Sequence, residues 1–314
     1  MLVVQATRFG GPDVLVAHEM PAPPVEAGTA LIEVAAVDTL HVETRIRAGS
    51  ATQWFDIHPP YVPGGAVAGT VRSVGDGVDP SLVGRRVAAF PAGAYAEQVV
   101  VPADELVDVP DALELTEAAA LLHDGPTALG LADLAPAKPG HRVLVVGGTG
   151  GAGILLVQLA HAAGGYVVAT ARGEAKRDLV RRLGADEVVE PATATWASMR
   201  ADTVVDGIGG ALGTAAYAAV RDGGTFLAFG APTADGFAAL DTDDAARRGV
   251  TIRGIADLQY GPAERRTLVR RAFALAAEGA IVPVIGQTYP LREAAAAHAA
   301  IEARTVTAKT LLVC

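Results

Sequence analysis

The chain has 314 residues, of which 51% are hydrophobic and 19% charged, so it is long enough to bury a large core and to form two domains. Its formal net charge of -10 argues against a nucleic-acid partner, because neutralising a phosphate backbone requires a basic surface. The single cysteine, Cys314, excludes a disulfide within the chain and a cysteine-based zinc site, and the seven histidines lack metal-ligand spacing, so we expect no bound metal.

The beginning of the chain lacks the basic region and long apolar stretch of a secretion signal. No segment reaches the roughly 18 uncharged apolar residues that a membrane-spanning helix needs. We therefore expect a cytoplasmic protein that acts on a small molecule and has no membrane partner.

The first third of the chain consists of short β-type runs interrupted by proline and glycine, which predicts an antiparallel sheet or a small barrel. The runs are ALIEVAAV (30–37), GTVRSVG (69–75), RRVAAF (85–90) and AEQVVVP (96–102). From about Thr116 the sequence changes to longer stretches rich in alanine and leucine, which indicates the start of a second kind of domain.

From residue 142 onward, apolar strands and amphipathic helices alternate, which predicts an α/β fold with a doubly wound parallel sheet. The six predicted strands are 142–146, 166–170, 186–189, 202–206, 224–230 and 250–255. The predicted helices between them are 153–164, 174–184 and 212–223, each ending at a glycine. Two more helices (263–279 and 291–303) and a closing strand (308–313) follow, with the alanine-rich run 294–300 on a helix surface.

The stretch VVGGTGGAG, residues 145–153, has the spacing G-x-G-x-x-G at Gly148, Gly150 and Gly153. It follows an apolar strand and opens an amphipathic helix, the context in which backbone N–H groups and the helix dipole face a pyrophosphate. Gly150 and Gly151 would let the backbone approach the phosphates, and Gly153 would let helix and strand pack closely. The alternative is a glycine-rich turn that binds no ligand.

The residues after the second predicted strand of this sheet indicate which dinucleotide would bind. NAD-binding folds place an Asp or Glu about 20 residues after the glycine loop to bind the ribose 2′-hydroxyl. No carboxylate ends the strand here; Arg172, Lys176 and Arg177 follow it, and Glu174 is the nearest acid. Because cations suit a 2′-phosphate, the sequence favours NADP(H). The alternative is that Lys176 and Arg177 form the solvated face of a helix.

Nine segments spread over nearly the whole chain occur together in the order typical of one known family. They are FGGPDVL (9–15), VETRIRAG (42–49), PYVPGGAVAGTVRSVGDGV (60–78), GAYAEQVVVP (93–102), AAALLHDGPTAL (118–129), KPGHRVLVVGGTGGAGILLVQLA (138–160), LGADEVV (183–189), VVDGIGG (204–210) and AHAAIEARTVTAKTLLV (297–313). They resemble the landmarks of the zinc-independent quinone oxidoreductase branch of the medium-chain dehydrogenase/reductase superfamily, which includes zeta-crystallin.

This resemblance implies a GroES-like β-barrel catalytic domain made of residues 1–118 and 256–314. It also implies a Rossmann domain, residues 119–255, with a six-stranded parallel sheet, and a cleft where the nicotinamide meets the substrate. A homodimer is expected through the last strand of that sheet, residues 250–255.

The resemblance also extends the expected NADP(H) site. Thr127 and Ala128 match the family's Thr-Ala pair beside the nicotinamide, Lys176 matches a lysine that binds the 2′-phosphate, and Gly230 falls where the backbone passes the nicotinamide ribose. The full predicted set is Thr127, Thr149, Gly150, Gly151, Ala152, Gly153, Thr170, Arg172, Lys176, Gly207, Ile208, Phe229, Gly230 and Lys309.

Three positions depart from the family pattern. Relatives have an Asn, or in zinc-dependent members a metal-binding Cys, where this chain has Leu40, and a Tyr where it has Arg45. They have a Glu or Asp where PGGAVAG places Ala66. These departures put quinone reduction itself in question.

The candidates for proton donation or for stabilising an enolate oxygen are Arg45, His123, Asp124 and His41. His123 can instead belong to a helix N-terminus, and Asp124 can be its N-cap before Pro126. Arg45 can bind a substrate carboxylate or enolate, or pair with an acid such as Glu43. For His41, a packed or surface imidazole is the alternative.

The expected substrate pocket contains Leu40, Trp54 and Phe55. The resemblance places the loop SATQWFDIHPP, residues 50–60, at the pocket wall, where aromatic rings would contact substrate. Ordinary packing of this loop onto the barrel is the alternative.

Three functional hypotheses follow. The first is an NADPH-dependent reductase of a quinone or an activated carbon–carbon double bond that works by metal-free hydride transfer. The second is a non-redox biosynthetic enzyme, a cyclase or isomerase, that keeps the NADP cleft. The third is an NADPH-binding sensor. Net consumption of NADPH distinguishes the first from the other two.

Overall fold

The computed structural model describes residues 1–191, 193–231 and 235–314. The chain forms two compact units. The first comprises Met1–His123, Arg265–Ala277 and Pro283–Cys314, and the second comprises Asp124–Glu264 and Glu278–Val282. The predicted domain boundaries, after residues 118 and 255, precede the points at which the chain passes from one unit to the other.

The helices and strands alternate along the chain as follows. Up to residue 121 they are β1 (Leu2–Ala6), β2 (Leu15–Glu19), β3 (Thr29–Asp38), α1 (His41–Arg47), β4 (Val67–Val74), β5 (Arg86–Ala89), β6 (Gln98–Pro102), β7 (Val107–Asp108) and α2 (Leu115–Leu121). Then come α3 (Asp124–Leu134), β8 (Arg142–Val146), α4 (Gly151–Ala162), β9 (Tyr166–Thr170), α5 (Glu174–Arg182), β10 (Glu187–Val189), β11 (Ala201–Asp206), α6 (Gly210–Tyr217), β12 (Val220–Ala228), α7 (Thr242–Arg248) and β13 (Thr251–Gly254). The last are α8 (Pro262–Ala277), β14 (Ile285–Pro290), α9 (Ala294–Glu302) and β15 (Lys309–Val313).

The first unit contains a seven-stranded sheet in the order β14-β15-β3-β4-β5-β7, with β6 also paired to β3. All its pairings are antiparallel except that of β14 with β15. The long strand β3, TALIEVAAVD, is largely buried rather than alternating, and it has strand neighbours on both sides.

The pairing of β15 with β3 brings the two ends of the unit's sequence together. Leu311 lies opposite Asp38 in this antiparallel register. Lys309, two residues before Leu311, is therefore a diagonal neighbour of Asp38 on the same face of the sheet. The fold thus places a lysine from the end of the chain next to an aspartate from its beginning.

The second unit contains a six-stranded sheet in the order β10-β9-β8-β11-β12-β13, and every pairing is parallel. This is the doubly wound order, and the sequence prediction of a six-stranded parallel sheet is confirmed. The strand order reverses between β8 and β11, where Val146 pairs with Asp206. In such sheets ligands bind at the carboxyl ends of the strands at this point of reversal.

Several predicted element boundaries need correction. The predicted helix 212–223 ends at Tyr217, and its last residues, VRDG, begin β12. The predicted strand 224–230 ends at Ala228, which leaves Phe229 and Gly230 in the loop that follows. The alanine-rich run 294–300 is not mainly surface, because Ala294, Ala297 and His298 are fully buried. Positions i, i+3 and i+4 share one face of a helix, and the two small alanines among these three residues let that face pack closely.

None of the helices in the described ranges is both long and apolar enough to cross a membrane.

Candidate functional site

In the second unit, the loop between β8 and α4 occupies the carboxyl edge of the sheet at the point of reversal. Gly147 has φ +84°, a conformation that favours glycine, and its N–H donates a hydrogen bond of 2.9 Å to the Thr170 hydroxyl at the end of β9. The loop is thus tied to the neighbouring strand. Thr149 lies in this loop, and Ala152 is the buried second residue of α4.

The glycines of this loop differ in why they lack a side chain. A Cβ on Gly153 would overlap the carbonyl oxygen of Gly147, so this glycine allows close packing of the helix on the loop. A Cβ on Gly151 would overlap the carboxylate of Asp124. A Cβ on Gly150 would meet only the Gly147 oxygen, at 3.6 Å, and the backbone there is ordinary, with φ -83°. The protein's own packing therefore does not require a glycine at residue 150, and the space beside it is open to a ligand.

Cations lie on the segment that follows β9. Arg172 is exposed and Lys176 is half-buried on the first turns of α5. Arg177 forms an ion pair with Glu190, so its guanidinium has a partner within the protein. Arg172 and Lys176 remain the two predicted candidates for a 2′-phosphate.

Two loops after β11 and β12 complete this edge of the sheet. The carboxylate of Asp206 accepts hydrogen bonds from the N–H groups of Ile208 (2.9 Å) and Gly209 (3.0 Å), and its burial raises its pKa. A Cβ on Gly230 would overlap the backbone of Gly207, so the two loops are in close contact. Phe229 precedes Gly230, and its ring lies where a side chain on Gly207 would project.

In the first unit, Asp38 joins His123 and Lys309. Its Oδ2 accepts hydrogen bonds from Nδ1 of His123 (2.7 Å) and from the backbone N–H of the same residue (3.2 Å). Its Oδ1 forms an ion pair with the Lys309 ammonium. Asp38 and Lys309 are buried, whereas the His123 side chain is 28% exposed. This Asp38–His123–Lys309 cluster therefore has one member that solvent or a ligand can reach.

The charge state of Asp38 follows from its partners. Burial by itself raises the pKa of an aspartate, but the Lys309 ammonium and the contacts with His123 outweigh burial and hold the pKa of Asp38 below its ordinary value. The carboxylate is therefore ionised although it is fully buried.

A second buried network connects α1, the segment before β6, and α9. Glu43 accepts a hydrogen bond from the Leu40 N–H (2.9 Å) and another from the Tyr95 hydroxyl (2.8 Å), and Nε2 of His298 lies 2.8 Å from the same hydroxyl. Burial raises the pKa of Glu43 to about 7, although both hydrogen bonds lower it. Burial and the nearby Arg47 lower the pKa of His298 to about 3, so its ring is neutral.

The remaining predicted residues of this unit lie on α1 and in the loop after it. Leu40 precedes α1, and His41 is the first residue of the helix. The Arg45 guanidinium lies 5.5 Å from the centre of the Trp54 ring. Trp54 is 59% exposed and Phe55 is 38% exposed, so neither ring is buried by packing onto the sheet.

Ala66, one of the three departures from the family pattern, lies next to Asp38. It is buried, and its carbonyl oxygen accepts a hydrogen bond of 3.1 Å from the Asp38 N–H. The position at which the family pattern has a carboxylate therefore directly neighbours Asp38, which has one. Sequence reasoning compared Leu40 with the family's polar residue and overlooked Asp38 two positions earlier.

His123 and Asp124 are adjacent in sequence. The partner of His123 is Asp38, whereas Asp124 begins α3 and its carboxylate lies against Gly151. Thr127 belongs to the same helix. Lys309, predicted to bind the cofactor, is held by Asp38.

Sequence reasoning missed Asp38, Glu43, Tyr95 and His298. The one available signal was an aspartate ending an apolar strand, a pattern that VAAVD shares with DTVVD at the end of β11. Among the described residues, no three His, Cys, Asp or Glu side chains come together as metal ligands would.

Comparison with known proteins covers nearly the whole chain. Residues 26–111 match the alcohol dehydrogenase GroES-like domain, and residues 183–312 match the zinc-binding dehydrogenase domain. The chain is 30% identical to quinone oxidoreductase of Rattus norvegicus over 310 residues, which cover 95% of this chain and 93% of that protein. It is 29% identical to 2-haloacrylate reductase of a Burkholderia species over 307 residues, 93% of this chain and 92% of that protein.

A solved structure shows the same architecture. The fold is similar to that of a mycobacterial protein complexed with NADPH, with a TM-score of 0.89 and 30% identity over 100% of both chains.

Proposed function

The chain belongs to the zinc-independent quinone oxidoreductase branch of the medium-chain dehydrogenase/reductase superfamily and is an NADPH-dependent oxidoreductase, and we propose that it reduces a quinone or an α,β-unsaturated carbonyl compound by metal-free hydride transfer. His123 is the proposed proton donor, and Arg45 with Trp54 the proposed contact for a planar substrate.

The observation that carries this proposal is the open space beside Gly150. It lies in a loop at the point where the strand order reverses, next to the N-terminus of the twelve-residue helix α4. Backbone N–H groups at such a helix start bind a pyrophosphate, and a side chain on Gly150 would fill space that the protein itself leaves open. The loop residues therefore fit the diphosphate of a dinucleotide.

The cofactor preference rests on the segment after β9. Thr170 ends the strand with its hydroxyl committed to Gly147, and no carboxylate is available there for a ribose 2′-hydroxyl. Arg172 and Lys176 would instead bind the 2′-phosphate of NADPH. When bound, NADPH supplies the hydride.

The protein's own contribution to reduction is a proton and a place for negative charge. Adding hydride to a quinone or to the β-carbon of an enone leaves negative charge on an oxygen atom. His123 has Nδ1 on Asp38, so Nε2 is the nitrogen that can give a proton to that oxygen or to the neighbouring carbon. In the family resemblance, this segment lies at the nicotinamide end of the cofactor.

The chemistry of the Asp38–His123–Lys309 cluster favours catalysis without a metal. A metal site needs ligands with lone pairs, and the third member of this cluster is a lysine ammonium, which has none and repels a metal cation. The ammonium already neutralises Asp38. The non-redox hypothesis depended on Leu40, Arg45 and Ala66, and the polar cluster at Asp38 weakens that reason for it.

The substrate class follows from the exposed aromatic loop. The Trp54 ring, with the Arg45 guanidinium above it, offers a planar apolar face beside a positive charge. A quinone ring or a conjugated carbonyl compound is flat and carries oxygen atoms that become negative on reduction. These two features match the surface that Arg45 and Trp54 present.

The activity is tested by incubating the protein with NADPH and a panel of p-benzoquinone, menadione, cyclohexenone and methyl vinyl ketone. We expect steady loss of NADPH with one equivalent of reduced product formed per NADPH. Formation of a rearranged product without net loss of NADPH would instead identify the cyclase or isomerase hypothesis. NADPH binding with no conversion of any compound in a wider panel would favour the sensor.

The cofactor site is tested by calorimetric titration with NADPH and NADH. Replacing Arg172 or Lys176 with alanine is expected to weaken NADPH binding by about 10- to 100-fold, because each charge-assisted hydrogen bond contributes roughly 1.5–3 kcal/mol, and to leave NADH binding unchanged. Arg177→Ala is the matched control, since Arg177 is paired with Glu190. An equal loss in all three variants would contradict the assignment.

The proposal extends to a homodimer formed through β13. This strand ends the six-stranded sheet, so its outer edge presents unpaired backbone groups, and Ile252 on it is exposed. Sedimentation of the wild-type protein and of Ile252→Lys tests this pairing: a dimer that becomes a monomer supports it, and a wild-type monomer contradicts it.

A further inference from the structure

We propose that Asp38 and Lys309 are positioning residues for His123, and that together they fix which nitrogen of its ring faces the substrate. The inference rests on the proposed function insofar as His123 acts there as proton donor. The arrangement itself is a buried charge pair with a half-exposed imidazole attached to it.

The hydrogen bond to Asp38 determines which nitrogen of the His123 ring carries a proton. An ionised carboxylate can only accept hydrogen bonds, and Oδ2 of Asp38 lies 2.7 Å from Nδ1 of His123. Nδ1 must therefore carry a proton in both the neutral and the charged forms of the ring. Nε2 is then the nitrogen that gains and loses a proton.

The Lys309 ammonium keeps the Asp38 carboxylate ionised. A fully buried carboxylate without a cation would become neutral, and a neutral carboxyl group could itself donate to Nδ1 and reverse the tautomer. The Lys309 ammonium on Oδ1 prevents this by supplying a buried positive charge. Lys309 therefore determines the tautomer of His123 through Asp38.

The surroundings of His123 also fix the plane of its imidazole ring. The backbone N–H of His123 binds the same Asp38 oxygen at 3.2 Å, so main chain and ring are held to one point. The Phe90 ring meets the imidazole edge to face, with centres 5.7 Å apart and planes at 89°, and the Arg265 guanidinium lies 5.1 Å from the centre of the Phe90 ring. Two hydrogen bonds and one aromatic contact therefore fix the direction of Nε2.

The proton balance of the step is simple. The Nε2–H bond of the imidazolium breaks, a new O–H or C–H bond forms on the reduced substrate, and the ring is left neutral with its proton on Nδ1. Water restores the proton to Nε2 before the next turnover. Charged and titratable groups near the ring include Asp38, Lys309, Glu43 through its electrostatic effect, and Arg265 over the Phe90 ring.

The test uses the full-length protein with ¹⁵N-labelled histidine. Two-bond ¹H–¹⁵N correlation spectra report the tautomer of each neutral imidazole, and His123 is assigned by its absence in His123→Gln. The variants are Asp38→Leu, Lys309→Met and the double variant Asp38→Leu/Lys309→Met, which removes the hydrogen-bond acceptor of Nδ1 and both charges together. Glu43→Gln is the matched control, because it neutralises a neighbouring buried carboxylate that does not contact His123. NADPH affinity, kcat and KM are measured in parallel.

We expect the Nδ1–H tautomer in wild type and in Glu43→Gln, and a shift toward the Nε2–H tautomer in the double variant. In that variant kcat should fall by about 100-fold, as for loss of a positioned general acid, while NADPH affinity is unchanged. An Nε2–H tautomer in wild type, or a double variant with an unchanged tautomer, would overturn the proposal. The tautomer is measured without turnover. An inactive wild-type protein would therefore contradict the proposed function, and the spectra would still test the roles of Asp38 and Lys309.

Discussion

Asp38 and Glu43 are two buried carboxylates on the same short stretch of chain, and their pKa values are shifted in opposite directions. Asp38 ends β3 and faces the Lys309 ammonium and the His123 ring, and its pKa lies below the ordinary value. Glu43 is on α1 and faces a backbone N–H and the Tyr95 hydroxyl, and its pKa is raised to about 7.

The difference shows that burial alone does not decide the charge of a carboxylate. Desolvation raises the pKa of both side chains, and at Asp38 the Lys309 ammonium together with the contacts with His123 reverses this effect. Neutral hydrogen-bond donors lower the pKa of Glu43 without overcoming burial. Asp38, with the lowered pKa, belongs to the proposed catalytic cluster, and Glu43, with the raised pKa, belongs to the second buried network.

The largest expected effect comes from removing the charge of Asp38. Asp38→Asn leaves the buried Lys309 ammonium without a counter-charge, and breaking a buried ion pair in this way typically costs about 3–5 kcal/mol. Denaturant unfolding of Asp38→Asn should show this loss of stability at neutral pH.

The double variant Asp38→Asn/Lys309→Met sharpens that result. With both charges gone, most of the lost stability should return, because a neutral pair carries no desolvated charge. If the two single losses simply add in the double variant, the ion pair is not what stabilises this part of the fold.

The next largest effect is the pH dependence due to Glu43. Its pKa rises from 4.5 when unfolded to about 7 when folded, so between these pH values the folded state binds more protons and the free energy of unfolding falls as pH rises. The full change is about 3 kcal/mol. His298 gives the opposite dependence of stability on pH, because its pKa is lowered in the folded protein. It is present in both wild type and Glu43→Gln, so its effect is common to the two proteins.

Unfolding is therefore compared in wild type and Glu43→Gln across this pH range. The stability of wild type relative to the variant should decrease as pH rises from below 4.5 to above 7 and should then level off. A difference that does not vary with pH would mean that Glu43 keeps an ordinary pKa despite its burial.

The smallest effect is expected for Tyr95→Phe. The hydroxyl is within 2.8 Å of both Glu43 and His298, and its loss leaves two buried polar atoms with one partner fewer, at a cost of about 1–3 kcal/mol. Because this hydroxyl lowers the pKa of Glu43, the pH window of the Glu43 effect should also move upward. Unchanged stability and an unchanged window would show that the hydroxyl plays no part in the network.

The parallel sheet was predictable because most of its strands contain an apolar run that local sequence identifies. The start of β12 was not, since VRDG has the composition of a turn, and only its first residue, Val220, pairs with β11 before a shift in register. The burial of Ala294 and Ala297 was hidden for a related reason, because alanine is common on both faces of a helix.

The candidate site also has one part that the sequence predicts and one part that it does not. The glycine loop is one continuous segment, so spacing and context were enough to identify it. The Asp38–His123–Lys309 cluster comes from three distant segments that meet through the register of β15 on β3, which no local pattern shows. His123 and Lys309 were therefore each singled out for other reasons, and Asp38, the residue that joins them, was not.

The most direct test of the account is the single-turnover rate at which bound NADPH is oxidised by a quinone or enone acceptor, measured in wild type and in His123→Gln by stopped-flow absorbance. His18→Gln, a change on β2 outside the proposed site, is the control. The account predicts a rate about 100-fold lower in His123→Gln, with NADPH affinity unchanged and the control equal to wild type. Equal rates in His123→Gln and wild type would contradict the claim that this imidazole, held by Asp38, supplies the proton.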